Sequence, residues 1–149
     1  MANWNIIPPQ SAEHWEKLYE LRYRVLRKDW NQAPGSEIAP DDDEAIHAIV
    51  FSNKRQVLAC CRAHRSGDAQ IQLRYMAVDP AFRGYGLGKA LLKYIEKVGA
   101  DRYEPVHQII LHARENAVPF YERNGYDVIS PSHVLFGTIQ HFLMMKTLV

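Results

Sequence analysis

The chain lacks several features that mark particular classes of protein. Its 149 residues contain only two cysteines, Cys60 and Cys61, which are neighbours and cannot anchor a disulfide framework. No secretory signal is visible, and no apolar stretch approaches the ~20 residues of a membrane span. Eighteen Lys and Arg against 17 Asp and Glu leave a net charge of +1, which indicates neither a nucleic-acid nor a membrane partner. We therefore expect a cytoplasmic protein that binds neither.

The composition is that of a folded domain. A chain of 149 residues with 47% hydrophobic residues needs neither disulfides nor a structural metal to complete its core. The sequence contains no internal repeat, low-complexity segment or linker, so we predict a single domain over residues 1–149. On a strand, Cys60 and Cys61 would point to opposite faces, which predicts one core side chain and one incidental thiol.

The hydrophobic periodicity predicts a mixed order of strands and helices. A first strand is predicted at Trp4–Ile7, a helix capped by Ser11 reaches about Lys28, and the segment 29–44 is irregular. The other predicted elements are strands at about 45–52, 56–64 and 70–78, a helix from Leu87 with Gly99 as its C-cap, a strand at 106–112, a short helix at 115–123, a strand beginning at 126–129, and a last strand at 139–147. This order predicts an α/β (α+β) fold with one mixed, mainly antiparallel central sheet flanked by helices.

A glycine-rich turn follows the strand at 70–78. Pro80 blocks continuation of the strand, and Gly84, Gly86 and Gly88 then lead into a helix. Glycines allow close backbone approach and a helix start presents unpaired N–H groups, so this turn predicts a phosphate or diphosphate site. The dinucleotide fingerprint G-x-G-x-x-G fails because Lys89 replaces its last glycine. The nucleotide P-loop fails because no glycine lies five residues before Gly88.

The pattern that remains is Arg-x-x-Gly-x-Gly at residues 83–88. Together with the strand end at 76–78 and the segment 117–126 (AVPFYERNGY), it resembles the GNAT superfamily of acyl-CoA-dependent N-acyltransferases. The resemblance covers about residues 74–126 in the right order, and it implies the GNAT fold and acetyl-CoA (coenzyme A) as the cofactor. The residues that it implies bind the cofactor are Met76, Ala77, Val78, Arg83, Gly84, Tyr85, Gly86, Leu87, Gly88, Lys89, Asn116 and Tyr121.

A closer resemblance is to a bacterial subgroup whose GNAT domain can precede a thioesterase-like domain. No counterpart of that second domain lies within the 149 residues. The segments that resemble the subgroup are 21–22, 25–27, 35–37, His47, 73–78, 113–116, 135–137 and His141.

Two residues of the second motif carry predicted roles. In the resembled family the tyrosine equivalent to Tyr121 donates to the thioester sulfur as the thiolate leaves, so we predict that role here. A half-buried aromatic side chain is the structural alternative. Asn116 lies two residues from the family's usual asparagine position, which Arg114 occupies here. It is predicted either to cap the short helix or to contact the cofactor.

The resemblance does not identify the general base. Many relatives carry a strand-four glutamate where this chain has Arg74, which cannot act as a base but can bind a carboxylate-bearing acceptor. His47 and His141 titrate near neutral pH and are candidate catalytic bases, although each could instead be structural. Glu37 and Glu44 are further candidate bases, and Glu37 is also a candidate acceptor-binding residue. No metal-ligand spacing is found among His64, His107, His112 and His133, so we predict no metal site.

These residues predict an N-acetyltransferase that moves acetyl from acetyl-CoA to an amine by direct attack in a ternary complex. The acceptor, a small-molecule or protein amine, is expected between the segments 29–44 and 130–137. The alternative is a non-catalytic CoA-binding regulatory module, because the usual strand-four glutamate is missing. A third possibility is a domain that works with a separate thioesterase. The late strands could pair across a homodimer.

Overall fold

A computed structural model describes residues 3–148 and confirms the mixed, mainly antiparallel α/β fold. The strands are β1 (Trp4–Ile7), β2 (Ile46–Ser52), β3 (Val57–Gly67), β4 (Gln70–Val78), β5 (Gln108–Arg114), β6 (Asp127–Leu135) and β7 (Ile139–Thr147). The helices are α1 (Ala12–Leu26), α2 (Leu87–Arg102) and α3 (Val118–Arg123). Short 3₁₀ turns lie at Lys28–Trp30, Asp42–Glu44, Pro80–Phe82 and Glu115–Ala117.

The strands form one seven-stranded sheet in the order β1-β2-β3-β4-β5-β7-β6. Neighbouring strands are antiparallel except β4 and β5, which are parallel. A parallel pair needs a crossover connection, and α2 supplies it. The sheet therefore contains one strand–turn–helix–strand unit between antiparallel flanks, as the sequence predicts.

The two long helices cover opposite faces of the sheet. On β3, Cys60 packs in the cluster that holds Leu18 and Leu21 of α1, and Cys61 packs in the cluster that holds Leu91 of α2. Successive strand residues face opposite ways, so each cysteine belongs to a different core layer. The prediction of one incidental thiol is wrong, because both cysteines are buried and burial raises the pKa of Cys60 to about 11. Neither thiol is poised to react.

Helix α2 runs past the predicted C-cap. Gly99 lies inside the helix, which continues to Arg102 and ends with the N–H of Tyr103 bonded to the Gly99 carbonyl at 3.0 Å. A Cβ at Gly99 would lie 2.8 Å from Cδ1 of Ile71 on β4. The C-cap prediction is therefore wrong, and this glycine instead allows the helix to approach the sheet closely.

Most other boundaries agree with the sequence to within a few residues. The Ser11 side chain accepts the N–H of His14 and caps α1, as predicted. β5 starts at Gln108 and not at 106, because His107 still bonds through its N–H to the Ala69 carbonyl in the loop before β4. Across residues 3–148, the structure contains no helix that is both long and apolar enough to cross a membrane.

A buried ion cluster joins α1 and β3 to the segment that precedes β2. Asp42 accepts hydrogen bonds from Arg22 and Arg62, each at 2.8 Å, and from the Ala39 N–H at 2.9 Å. Arg62 also pairs with Asp41. Both guanidinium groups are almost fully buried, so the two carboxylates are the counter-ions that make their burial tolerable.

The cluster predicts an acid-sensitive contribution to stability. Burial by itself raises the pKa of Asp42, but hydrogen bonds from Arg22, the Ala39 N–H and Arg62 outweigh it and hold that pKa well below the usual range. A carboxyl group with a depressed pKa stabilises the fold fully above its unfolded pKa of about 4, and the contribution is lost as pH falls toward the folded value.

We expect Asp42→Asn to lower the free energy of unfolding by about 3 kcal/mol at pH 7, because it leaves a buried guanidinium charge uncompensated. Urea denaturation at several pH values measures this difference, which should shrink below about pH 4. Asp43→Asn, an exposed neighbour on the same 3₁₀ turn, is the matched control and should change little. Equal stabilities for the two variants would contradict the assignment.

Candidate active site

The candidate site lies where two strands of the sheet separate. β4 and β5 pair only through residues 70–72 and 108–110. Further along β4, its register with β3 shifts between Cys60 and Arg62, which gives β4 one additional residue. Tyr75, at this bulge, has a left-handed φ of 55°. The bulge bends β4, and the strand edge beyond residue 72 has no β5 partner.

A cavity of about 280 Å³ opens between the separated strands. It is lined by the end of α1 and by residues of β4, β5, α3, β6 and β7. Four residues with predicted roles lie in the lining, namely Arg74, Met76, Tyr121 and His141. The sheet therefore brings together side chains that are nearly 70 positions apart in sequence.

The glycine turn leads from the end of β4 to the start of α2. The Asp79 carboxylate accepts the Ala81 N–H at 2.9 Å and holds the 3₁₀ turn. Gly84 and Gly86 then adopt φ values of 85° and 81°, with open space where a Cβ would lie. Gly86 is the N-cap of α2, and no side chain caps that end. The first N–H groups of α2 are thus available to an anion, which fits a diphosphate.

The third glycine of the turn connects the loop to the cavity. A Cβ at Gly88 would lie 3.2 Å from the ring of Phe120 and 3.6 Å from Val78, so glycine permits α2 to pack against α3 and β4. Phe120 precedes Tyr121, and the two rings meet edge to face with centroids 5.0 Å apart. Phe120 therefore lies beside both Gly88 of the glycine turn and Tyr121 of the cavity lining.

Comparison with known proteins decides the family. Residues 43–128 match the family model described as an acetyltransferase (GNAT) domain. The chain is also 31% identical over 137 residues to an uncharacterised N-acetyltransferase, YjcF of Bacillus subtilis (strain 168), with 92% of this chain and 95% of the relative covered. The chain belongs to the GNAT family of acetyltransferases. It is accordingly an N-acetyltransferase that depends on acetyl-CoA, which confirms the predicted family, enzyme class and cofactor.

Solved GNAT structures share the fold. A Lactobacillus plantarum protein assigned to the N-acetyltransferases superposes with a TM-score of 0.84 at 23% identity, covering 99% of this chain and 100% of that one. An aminoglycoside 6′-N-acetyltransferase complexed with coenzyme A superposes with a TM-score of 0.81 at 17% identity, covering 97% of each chain. The separated strands and the glycine turn therefore sit within a GNAT sheet.

Three candidate bases, His47, Glu37 and Glu44, lie outside the cavity of this GNAT enzyme. His47 is buried in the ion cluster, where its Nε2 lies 2.6 Å from the Asp42 carbonyl and its Nδ1 lies 3.3 Å from Arg22. The Glu37 carboxylate accepts the Gly35 N–H at 2.8 Å and folds back on its own loop. None of the three side chains lines the cavity. His47 is satisfied by partners that hold the fold.

The structure excludes one of the two predicted roles of Asn116. Asn116 is exposed within the 3₁₀ turn Glu115–Ala117, and the N-cap of α3 is Ala117. The prediction of a helix cap is wrong, because the extra 3₁₀ turn places Asn116 one residue too early. Contact with the cofactor stays a prediction.

Sequence reasoning assigned no catalytic or binding role to four basic residues of the cavity lining, namely Arg27, His112, Arg114 and His133. His112 and Arg114 lie two positions apart on β5, so strand alternation predicts that their side chains share one face of the sheet. Arg27 and His133 reach the cavity only through tertiary packing. The segment 29–44 does not line the cavity, whereas His133 and Leu135 of the expected segment 130–137 do.

We expect Gly86→Asp to weaken acetyl-CoA binding by about 100-fold or more. The variant places a carboxylate beside the diphosphate and forces a side chain onto a left-handed φ. Calorimetric titration with CoA measures the affinity. Gly35→Asp is the matched control, because Gly35 also has a positive φ, of 100°, and open space around it but lies outside the turn. Tight CoA binding by Gly86→Asp would show that the turn is misassigned.

Proposed function

We propose that the enzyme transfers acetyl from acetyl-CoA directly to an amine in a ternary complex, without an acyl-enzyme. The observation that carries this proposal is the composition of the cavity, which holds phenols and imidazoles but no thiol or aliphatic hydroxyl group. Both cysteines are buried in the core and lie outside the lining. Ser132 lies 2.9 Å from Nδ1 of His112, but Ser132 is not a lining residue either. The described lining therefore lacks the cysteine and serine nucleophiles that commonly form acyl-enzymes.

The chain offers a place for each part of the cofactor. The N–H groups at residues 83–89 would hold the diphosphate, and the unpaired edge of β4 at residues 76–78 would hold the pantetheine arm. The cofactor supplies an acetyl thioester, whose carbonyl must be polarised for attack. The backbone N–H groups of Met76 and Val78 are our candidates for that polarisation.

Tyr121 is the proposed donor to the leaving sulfur. It lines the cavity at 7% exposure, and burial raises the pKa of its hydroxyl above the usual value. The phenol is therefore protonated at neutral pH and can donate a hydrogen bond to a developing thiolate. Full proton transfer is not required, because the hydrogen bond alone stabilises the charge.

His141 is the proposed general base. Its Nδ1 lies 3.0 Å from the Ile139 carbonyl, which can only accept, so Nδ1 carries the proton and Nε2 keeps a lone pair. Burial, together with the charges of His133, Arg114 and His112, lowers the pKa of His141 despite that hydrogen bond. A lowered pKa means that the imidazole is neutral at pH 7 and can take a proton from the incoming amine.

Two finer features of the proposal concern partners. The acceptor is a small-molecule or protein amine, and we propose Arg74 as one of its contacts because its side chain lines the cavity. β6 is an edge strand with exposed Val128, Ile129 and Val134, which is compatible with the expected homodimer. Kinship with the thioesterase-linked subgroup stays a prediction.

We expect Tyr121→Phe to lower kcat by about 100-fold while acetyl-CoA affinity changes little, because the hydroxyl acts only as the thiolate forms. Free-thiol release across an amine panel measures kcat, and calorimetry measures binding. Tyr126→Phe is the control, since its hydroxyl bonds Glu96 at 2.7 Å and lies outside the cavity lining. If wild type binds CoA but releases no thiol with any amine, the non-catalytic module is correct.

We expect the acid limb of the kcat/KM profile to fall below the ordinary histidine pKa of about 6.5, because the pKa of His141 is lowered. Activity should therefore be retained from pH 8 down through neutrality. His141→Gln should remove this limb together with most of the activity. His107→Gln, an exposed histidine outside the lining, should preserve both. A wild-type limb above pH 7 would contradict the assignment.

A further inference from the structure

The cavity between β4 and β5 is positively charged. Its lining contains Arg27, Arg74 and Arg114 but no aspartate or glutamate. The guanidinium groups come from the end of α1, from β4 and from the end of β5, so they approach the cavity from three elements. Arginine stays protonated under all ordinary conditions, and the charge is therefore permanent.

These three arginines contact only neutral partners within residues 3–148. Arg27 donates to the carbonyls of Ser36 and Leu26 at 3.2 and 3.1 Å. Arg114 donates to the Leu26 carbonyl at 3.2 Å and stacks over the Trp30 ring, 4.4 Å from its centroid. Arg74 reaches only the Tyr75 hydroxyl, at 3.4 Å. Each guanidinium has five N–H donors, so several remain unused.

The contrast with the buried ion cluster is informative. There Arg22 and Arg62 share the Asp42 carboxylate, and Arg62 has Asp41 as a second counter-ion. Arg114 is also partly buried, and burial and the Arg27 charge lower its pKa. Burying a charge without a counter-ion is costly. Among the described residues Arg114 therefore lacks a counter-ion for its partly buried charge, and an anion that enters the cavity would supply one.

We infer that the amine acceptor carries an anionic group, a carboxylate or a phosphate, which binds these arginines. The inference rests on the proposed direct transfer. An acetyl group has no charge and the diphosphate of CoA is assigned to residues 83–89, so we assign the anion to the acceptor. A forked guanidinium matches either group through two parallel hydrogen bonds. The same positive field disfavours acceptors with a second ammonium group.

A matched series of acceptors tests the inference. The probes are 5-aminopentanoate, 5-aminopentanol and 1,5-diaminopentane, which share a five-carbon chain and differ in the charge at the far end. We expect kcat/KM with acetyl-CoA to be about 10- to 100-fold higher for the carboxylate than for the alcohol, as charge-assisted hydrogen bonds imply, and lowest for the diamine. 4-Aminobutylphosphonate distinguishes a phosphate preference from a carboxylate preference. Equal values for alcohol and carboxylate would overturn the inference.

Single substitutions test which arginines bind the anionic group of the acceptor. Arg74→Gln should lower kcat/KM for 5-aminopentanoate by about 10-fold or more and narrow its ratio to the alcohol, because Arg74 is exposed on its strand and its loss spares the core. Arg102→Gln, an exposed arginine at the end of α2, is the control and should leave the ratio unchanged. An unchanged ratio in Arg74→Gln and in Arg27→Gln would place the anion elsewhere and refute the site.

Two further arms separate this inference from the proposed function. Binding of 5-acetamidopentanoate and 5-acetamidopentanol to the CoA complex needs no turnover, so a preference for the anionic product survives if the enzyme proves inactive. Equal binding overturns the inference even if transfer is confirmed. Succinyl-CoA provides the other arm. If it is preferred to acetyl-CoA and the preference is lost in Arg74→Gln, the arginines bind the acyl chain, and the acceptor assignment is wrong.

Discussion

The separation of β4 from β5 is the constraint on which the site depends. The two parallel strands share only three paired positions each, and then both continue with a free edge facing the other. Backbone N–H and C=O groups need partners, and an unpaired edge inside a sheet can find them only in water or in a ligand. The bulge at Tyr75 bends β4 away, while β3 and β7 hold the outer edges of the two strands in register. The opening thus follows from the way the strands pair.

The positive charges around this opening are unevenly compensated, because some arginines have carboxylate partners and others have none. Four guanidinium groups surround the Tyr75 ring within 6 Å of its centroid, those of Arg22, Arg27, Arg62 and Arg74. Arg22 and Arg62 are paired with carboxylates and fix α1 against β3. Arg27 and Arg74 line the cavity and have no carboxylate partner among the described residues. One aromatic ring therefore separates charges that stabilise the fold from charges that are left for a ligand.

Features that depend on neighbouring residues in the chain could be predicted from the sequence. Features that depend on tertiary packing could not. The glycine turn and the bounds of β1 and β7 follow from residues close together in the chain. The sequence alone predicts a C-cap at Gly99. The structure instead requires glycine there because Ile71, on another element, lies close to the helix. The sequence presents Arg114 only as the residue at the family's asparagine position, because its contact with Leu26 spans 88 positions. Such contacts leave no periodic signal, so the arginine cavity could not be predicted from one sequence.

The same charges favour a histidine over a carboxylate for the proposed role of general base. The β5–β7 register places His141 directly opposite Arg114. A carboxylate beside three arginines would have its pKa driven far down and would hold a proton from an ammonium group poorly. An imidazole in the same field also becomes less basic, but it starts about two units higher and is neutral when it loses its proton. An arginine at position 74 and the proposed histidine base on β7 are therefore electrostatically compatible.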